Sequence, residues 1–241
     1  MSELKSVFGS DGEGFLPGLS LDLIIFGFHQ NQLKVLLLEY HGANSFALPA
    51  GYIRVDEDLE AAAQRALTER TGLSGIYLEQ YQVFGDCARH NPRPVQAVLQ
   101  AKGVPATPTH WLLQRFVSVG FYALVDFTQA VPNPDALADG CAWHDFAHLP
   151  PLILDHERMV RKALETLQLN LDRKLIAFNL LPESFTMADL QHLYETVLEE
   201  KLNRTSFQRK MLGLEILERL DKKWTGGAHK APYLYRFKQR N

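Results

Sequence analysis

Two apolar runs, Leu21–Phe28 and Leu33–Tyr40, flank the polar stretch His29-Gln30-Asn31-Gln32, and runs of strand length around such a break predict a hairpin. A loop with Gly42 and Asn44 then leads to Phe46-Ala47-Leu48-Pro49-Ala50-Gly51. Over 58–71 the period lengthens: Leu59, Ala62, Ala63, Ala66 and Leu67 recur on one helical face, and Gly72 is a natural stop. Tyr77–Gly85 and Phe116–Asp126 read as strands. Between them, 88–114 carries four prolines, at 92, 94, 105 and 108, and is too long for a hairpin loop. It is read as an insertion, mobile or functional.

The rest of the chain has helical spacing. Asp155 is placed to cap a helix running to about Lys174, with Met159, Val160, Ala163, Leu164 and Leu167 on one face, broken around Ile176–Pro182. Thr186 is placed to cap a second helix, Met187 to about Glu199, with Leu190, Leu193, Tyr194 and Val197 inward. A turn at Leu202–Arg204 leads to a third, about Thr205–Leu214, whose inward stripe is Phe207, Met211 and Leu214. Short strands, Ile216–Lys222 and Tyr233–Lys238, flank a Gly226-Gly227 tip. Helix, turn, helix, strand, wing, strand is the winged helix-turn-helix order. The chain therefore divides into an arm (1–18), an α/β body (19–152, insertion 88–114), a linker helix (153–175) and a C-terminal domain (176–241).

Charge adds an asymmetry to this plan. The net charge of −3 over 241 residues conceals +8 on residues 201–241, leaving −11 on the rest. An acidic body with a basic tail suggests a polyanion partner for the tail. The composition, 46% hydrophobic and 22% charged, is that of an ordinary globular chain. No apolar stretch is long enough for a membrane span, and no secretory signal heads the chain. Cys87 and Cys141 stand alone, unlike a disulfide or metal framework, and are read as plain thiols of a cytoplasmic protein.

Residues 51–73 carry the first resemblance. Gly51, Glu57, Arg65, Glu69 and Gly72 have the spacing of the Nudix box, in which a glycine, a glutamate and an Arg-Glu-apolar-x-Glu-Glu-x-Gly segment form a loop–helix–loop. The resemblance covers about 19–150. It implies an α/β/α sandwich with a mixed sheet, and in hydrolases of the family Mg²⁺ held by helix carboxylates activates water. Mg²⁺ demands hard oxygen ligands in near-octahedral array. Here two of the three helix positions hold Ala66 and Arg70. An arginine about 4 Å from the cation position costs on the order of 4 kcal/mol at an effective dielectric of about 20. Glu57 and Glu69 are the residual metal candidates. The preferred reading is that Glu57, Arg65 and Glu69 are an ion-pair scaffold, with no catalytic residue, no metal and no cofactor. A decayed box leaves room for a pocket, for which Phe46 (stacking a sugar or base) and Arg54, Arg89 and Arg115 (meeting phosphate or hydroxyls) are the effector candidates.

In the tail, Arg204, Thr205, Ser206, Gln208, Arg209 and Lys210 open the second helix of the helix-turn-helix, where residues face base edges and phosphates. Lys222, Lys223, His229 and Lys230 give the wing its charge. Phe178-Asn179-Leu180-Leu181-Pro182, Phe185-Thr186, Leu190-Gln191, Leu193-Tyr194-Glu195, Ser206–Lys210 and Leu234-Tyr235-Arg236-Phe237 resemble the Nudix-related transcriptional regulators of the NrtR family. The Asn-Leu-Leu-Pro linker is closer to their sugar-responsive branch, and Asp155-His156 also resembles the family. Tyr40, where relatives often have a basic residue, and the 88–114 insertion are departures. The fold expected is α+β: a Nudix-type sandwich, an α-helical linker and a winged helix-turn-helix. The resemblance implies a homodimer on palindromic double-stranded operator DNA, acting as a repressor, with a sugar, sugar phosphate or ADP-ribose-like effector in the degenerate domain. The competing readings are an active Mg²⁺-dependent Nudix hydrolase of nucleoside diphosphate derivatives with a fused helical domain, and a scaffold or metabolite-binding module that does not touch DNA.

Overall fold

A computed structural model of the chain describes residue 12 and residues 14–172, 180–222 and 231–238. Its centre is a seven-stranded mixed sheet in the order β3-β2-β1-β6-β5, with β4 added to β1 and β7 to β2. The strands are β1 (Phe15–His29), β2 (Gln32–Tyr40), β3 (Ser45–Ala47), β4 (Ala50–Arg54), β5 (Glu79–Phe84), β6 (Val117–Asp126) and β7 (Gly140–Asp145). β1 runs parallel to β6 and antiparallel to β2 and β4. The expected hairpin forms, with Gln30 and Asn31 in left-handed conformation at its tip.

Alternation along β1 assigns each face of the sheet. Leu21, Leu23 and Ile25 meet Ala62, Ala63, Ala66 and Leu67 of helix α1 (Leu59–Thr71). Ile24, Phe26 and Phe28 meet Met159, Val160, Ala163, Leu164 and Leu167 of helix α3 (His156–Asn170). Period-2 strands between period-3.6 helices give the α/β/α sandwich. Gly72 takes φ +69° past α1 and its N–H returns to Thr68 O at 2.8 Å, the glycine stop that ends the helix.

The 88–114 segment is a folded cap. Asn91 accepts a hydrogen bond from Arg93 N and starts helix α2 (Pro92–Ala101), whose first-turn prolines need no N–H partner. Val98 and Leu99 pack with Trp111, Leu112 and Leu113 in a separate apolar cluster. Lys102 closes the far end on Asp139 at 2.6 Å. The last residues of the expected arm also belong to the body: β1 begins at Phe15, whose ring stacks on Trp111 at 5.6 Å between centroids.

The C-terminal unit comprises α4 (Met187–Leu198), α5 (Arg204–Gly213) and a three-stranded sheet of β8 (Phe185–Thr186), β10 (Tyr233–Phe237) and β9 (Leu217–Lys222), in that order. Thr186 caps α4 as expected, in a capping box with Asp189. The core beneath α3 continues through Leu190, Leu193 and Tyr194 to Phe207 and Met211. Three expectations change. Leu214 is 38% exposed and lies outside the buried stripe. The linker helix stops at Asn170, and 173–179 lie outside the described residues. Asp155 holds the cap position of α3 without a side-chain capping bond, because arginines take up its carboxylate.

Candidate functional site

A cavity of about 140 Å³ lies between the sheet, the cap and the start of α3. Asp22 on β1 and Tyr52 on β4 form its floor, Arg89 and Leu113 its cap side, and Leu154 and His156 its linker side. Asp22 heads the stripe that faces α3, so β1 delivers a carboxylate to the end of an otherwise apolar surface. Tyr40 also lines the cavity, so that departure from the family pattern sits in the pocket wall.

Charged groups are buried here, which is costly unless each has a partner. The Arg89 side chain is 6% exposed; its Nη2 lies 3.0 Å from Asp155 Oδ1 and 3.7 Å from Asp22 Oδ2, and its Nη1 donates to Phe116 O at 3.3 Å. Arg158 continues the alternation outward, bridging Asp155 at 3.2 Å and Asp86 at 2.8 Å. Burial alone would raise the Asp155 carboxyl, but the hydrogen bond and charge of Arg89 outweigh it and hold the group below its ordinary value. His156 is 4% exposed, and burial pushes its ring below the ordinary histidine value despite the carboxylates nearby. Its Nδ1 accepts the N–H of Leu48 at 3.0 Å, so in the neutral ring the proton sits on Nε2, facing Asp22.

Of the four expected effector residues, only Arg89 lines the cavity. Phe46 packs edge-on against His144 at 5.3 Å. Arg54 is exposed at the end of β4, and its backbone N–H reaches Glu57. Arg115 is exposed and donates to Gly85 O at 2.6 Å. Asp22 and His156 were missed as pocket residues. The available signal was a lone carboxylate inside the apolar run Leu21–Phe28.

In the box, Arg65 is the clasp. Its Nε and Nη2 donate to the two Glu57 oxygens at 2.7 and 2.8 Å, Nη2 also to Tyr52 O at 3.0 Å, and Nη1 to Glu69 at 3.5 Å. The hydrogen bond from Arg65 is the main reason the Glu57 carboxyl titrates below its usual value. Ala66 is fully buried: a Cβ on Gly51 would lie 3.2 Å from its methyl, so strand and helix approach closely there. Among the described residues, no group of three His, Cys, Asp or Glu side chains is arranged to hold a metal ion.

On α5, Asn203 caps the N-terminus through Ser206 N at 3.0 Å. Arg204, Thr205, Ser206 and Arg209 are exposed, Gln208 is half-buried, and Phe207 and Met211 anchor the opposite side. Lys210 is exposed but paired, with Nζ 2.6 Å from Asp172 just beyond α3. Glu195 ties the helix-turn-helix turn by accepting Leu202 N and Gln191 Nε2, each at 2.9 Å; with Lys201 these bonds draw its carboxyl down to about 2. Lys222 ends β9 and, with Arg219, which the sequence reading did not single out, flanks the ring of Tyr233 at 5.2 and 4.6 Å. Lys223, His229 and Lys230 lie outside the described residues.

A sandwich with a Nudix loop–helix–loop joined to a winged helix defines the class, and comparison with known proteins agrees. The NUDIX domain family matches residues 18–165, more than half of the chain and including much of α3, and the NrtR DNA-binding winged helix domain matches 177–237. The chain belongs to the Nudix family and combines that domain with an NrtR-type winged helix. It is 28% identical over 228 residues, 92% of this chain and 82% of that protein, to the ADPR responsive transcriptional repressor NtrR of Acinetobacter baylyi. Shewanella oneidensis NrtR, in a crystal structure complexed with a 27mer DNA, superposes with TM-score 0.68 at 27% identity, over 91% of this chain and 93% of that one. A MutT/nudix family protein from Enterococcus faecalis shares the fold, with TM-score 0.67 at 20% identity over 92% and 87% of the two chains.

Proposed function

We propose that the protein is a cytoplasmic, homodimeric transcriptional repressor that binds operator DNA through α5 and the wing and whose DNA binding responds to a small molecule in the Nudix-domain cavity. The observation that carries this reading is the continuity of α3: its first residue, His156, lines the cavity, its far end bonds to α4 through Gln168 Nε2 on Val197 O at 3.0 Å, and Asp172, just beyond it, ion-pairs with Lys210 of the recognition helix. A ligand that favours one placement of α3 thereby biases the placement of α5, a coupling typically worth about 1–3 kcal/mol. The DNA-bound Shewanella protein and the ADPR-responsive Acinetobacter repressor support the two halves of the reading. The effector is drawn from sugars, sugar phosphates and ADP-ribose-like molecules. Arg204, Thr205, Ser206, Gln208 and Arg209 read or approach the bases, and Lys210, Lys222, Lys223, His229 and Lys230 serve the backbone.

We also propose that the Nudix box does no chemistry and that the chain uses no cofactor. Glu57 is committed to Arg65, Ala66 faces the core, and Arg70 carries positive charge, so these residues do not fit Mg²⁺. Two assays test the function. Retardation of duplex DNA from the protein's own genomic neighbourhood should collapse in the double variant Arg209→Ala, Lys210→Ala, while effector binding persists. Incubation with Mg²⁺ or Mn²⁺ and nucleoside diphosphate sugars should give turnover far below about 1 s⁻¹; absence of retardation at low salt, or faster turnover, overturns the respective half.

A further inference from the structure

The ribbon of β9 and β10 has two faces that differ in charge. In its register Arg236 pairs with Glu218 and Tyr235 with Arg219, so these two pairs point to opposite sides. Tyr235 is 4% exposed and belongs to the core with Phe207 and Met211 of α5, which puts Arg219 on the helix-facing side. Tyr233 shares that side but lies past the core and is 40% exposed. Strict alternation from Leu217 and Arg219 would bring Asp221 there next. Instead, a register shift between Tyr233 and Tyr235 adds one residue to β9 and sets Lys222 opposite Tyr233. The irregularity exchanges an acid for a base beside the ring, although Asp221 still lines the same shallow groove.

The faces also treat their cations differently. On the outer face Arg236 Nε donates to Glu218 at 2.8 Å. On the inner face the Arg219 guanidinium lies 4.6 Å and the Lys222 Nζ 5.2 Å from the centre of the Tyr233 ring. Among the described residues, neither has a carboxylate within ion-pair distance. An aromatic face orders a cation without neutralising it, and a stacked guanidinium keeps its N–H edge for an anion. Two ordered, unneutralised cations along one strand suit the phosphates that a duplex repeats along its backbone.

Resting on the reading that the winged helix binds duplex DNA, we infer that Arg219 and Lys222 contact phosphates from the root of the wing and that Tyr233 is the positioning residue that holds both. Anisotropy titrations of the full chain across a salt series test this, on promoter DNA from its own genomic neighbourhood and on an unrelated duplex. Arg219→Gln should weaken binding to both duplexes about tenfold and lower the log–log salt slope by about 0.9. Tyr233→Leu removes no charge; it should weaken both by about threefold with the slope unchanged, and Tyr233→Phe, which keeps the ring, should bind as the parent does. The outer-face double variant Glu218→Gln, Arg236→Gln, which leaves the net charge unchanged, should also match the parent. Arg219→Gln carries the test if Tyr233→Leu does not fold. Parent-like affinity of Arg219→Gln or of folded Tyr233→Leu overturns the inference. So does a loss in Tyr233→Phe equal to that in Tyr233→Leu, or a loss in the outer-face double variant equal to that in Arg219→Gln. Failure of the parent itself to bind either duplex overturns the DNA-binding reading as well, and is seen before any variant is compared.

Discussion

Replacing Arg65 by alanine tests whether the box is a scaffold. One guanidinium joins the loop at Glu57, strand β4 at Tyr52 O and helix α1 at Glu69. Its loss leaves the Glu57 carboxylate, 13% exposed, with the N–H of Arg54 at 3.3 Å as its one remaining hydrogen-bond donor among the described residues. Stranding one member of a buried pair costs about 3–5 kcal/mol, and an exposed pair is worth about 0–1 kcal/mol. With Arg65 itself 23% exposed, screening by water brings the expected loss to about 2 kcal/mol. In a domain of this size that is a fall in melting temperature of about 4–8 °C. The loss should also depend on pH. Glu57 titrates below its ordinary 4.5 in the folded chain, so the clasp contributes fully above that pH and is lost as pH falls through the lower folded value. Denaturant and thermal melts of both proteins, followed by circular dichroism from acidic to neutral pH, should therefore converge on acidification. A variant within about 0.5 kcal/mol of the parent at neutral pH would refute the clasp and return Glu57 to the metal candidates.

Other outcomes follow from the same contacts. Thr186→Ala removes the capping box of α4 and should lower stability by about 1 kcal/mol in urea unfolding. Asp172→Asn frees Lys210 for a phosphate, so it should tighten operator binding in anisotropy titrations and steepen the log–log salt slope by about 0.9. Trp111→Ala empties the centre of the cap cluster; a loss of about 3–5 kcal/mol in the stability of the cap is expected, read as faster hydrogen exchange over α2 and weaker effector binding.

Periodic features were legible in the sequence. The β1–β2 hairpin, α1 with its Gly72 stop, and α4 with its Thr186 cap follow from local pattern, and the Gly51–Gly72 spacing was enough to identify the Nudix family. What escaped was set by tertiary contacts. β3, β4 and β7 are short and irregular in sequence, and they are strands because β1 and β2 offer open edges. The proline-bearing stretch 88–114 was read only as an insertion, with no helix expected in it, yet two of its prolines sit in the first turn of α2, where a missing N–H costs nothing. Of the expected effector residues, Phe46 and Arg54 were chosen for residue type and Arg115 for its place before β6, and none of the three lines the cavity. The pocket charges come from a strand, a cap and a helix start far apart in sequence. Arg89 was picked out from sequence, whereas Asp22, an acid inside a buried apolar run, carried a local signal that went unread.

The central claim, a winged helix that binds duplex DNA, is tested most directly by anisotropy titration of the full chain onto promoter DNA from its own genomic neighbourhood across a salt series. With about six phosphates contacted, the log–log slope should be near −5, and the affinity for an unrelated duplex should be lower by about 10³-fold or more. Undetectable binding at low salt, or equal affinity for both duplexes, would contradict the account.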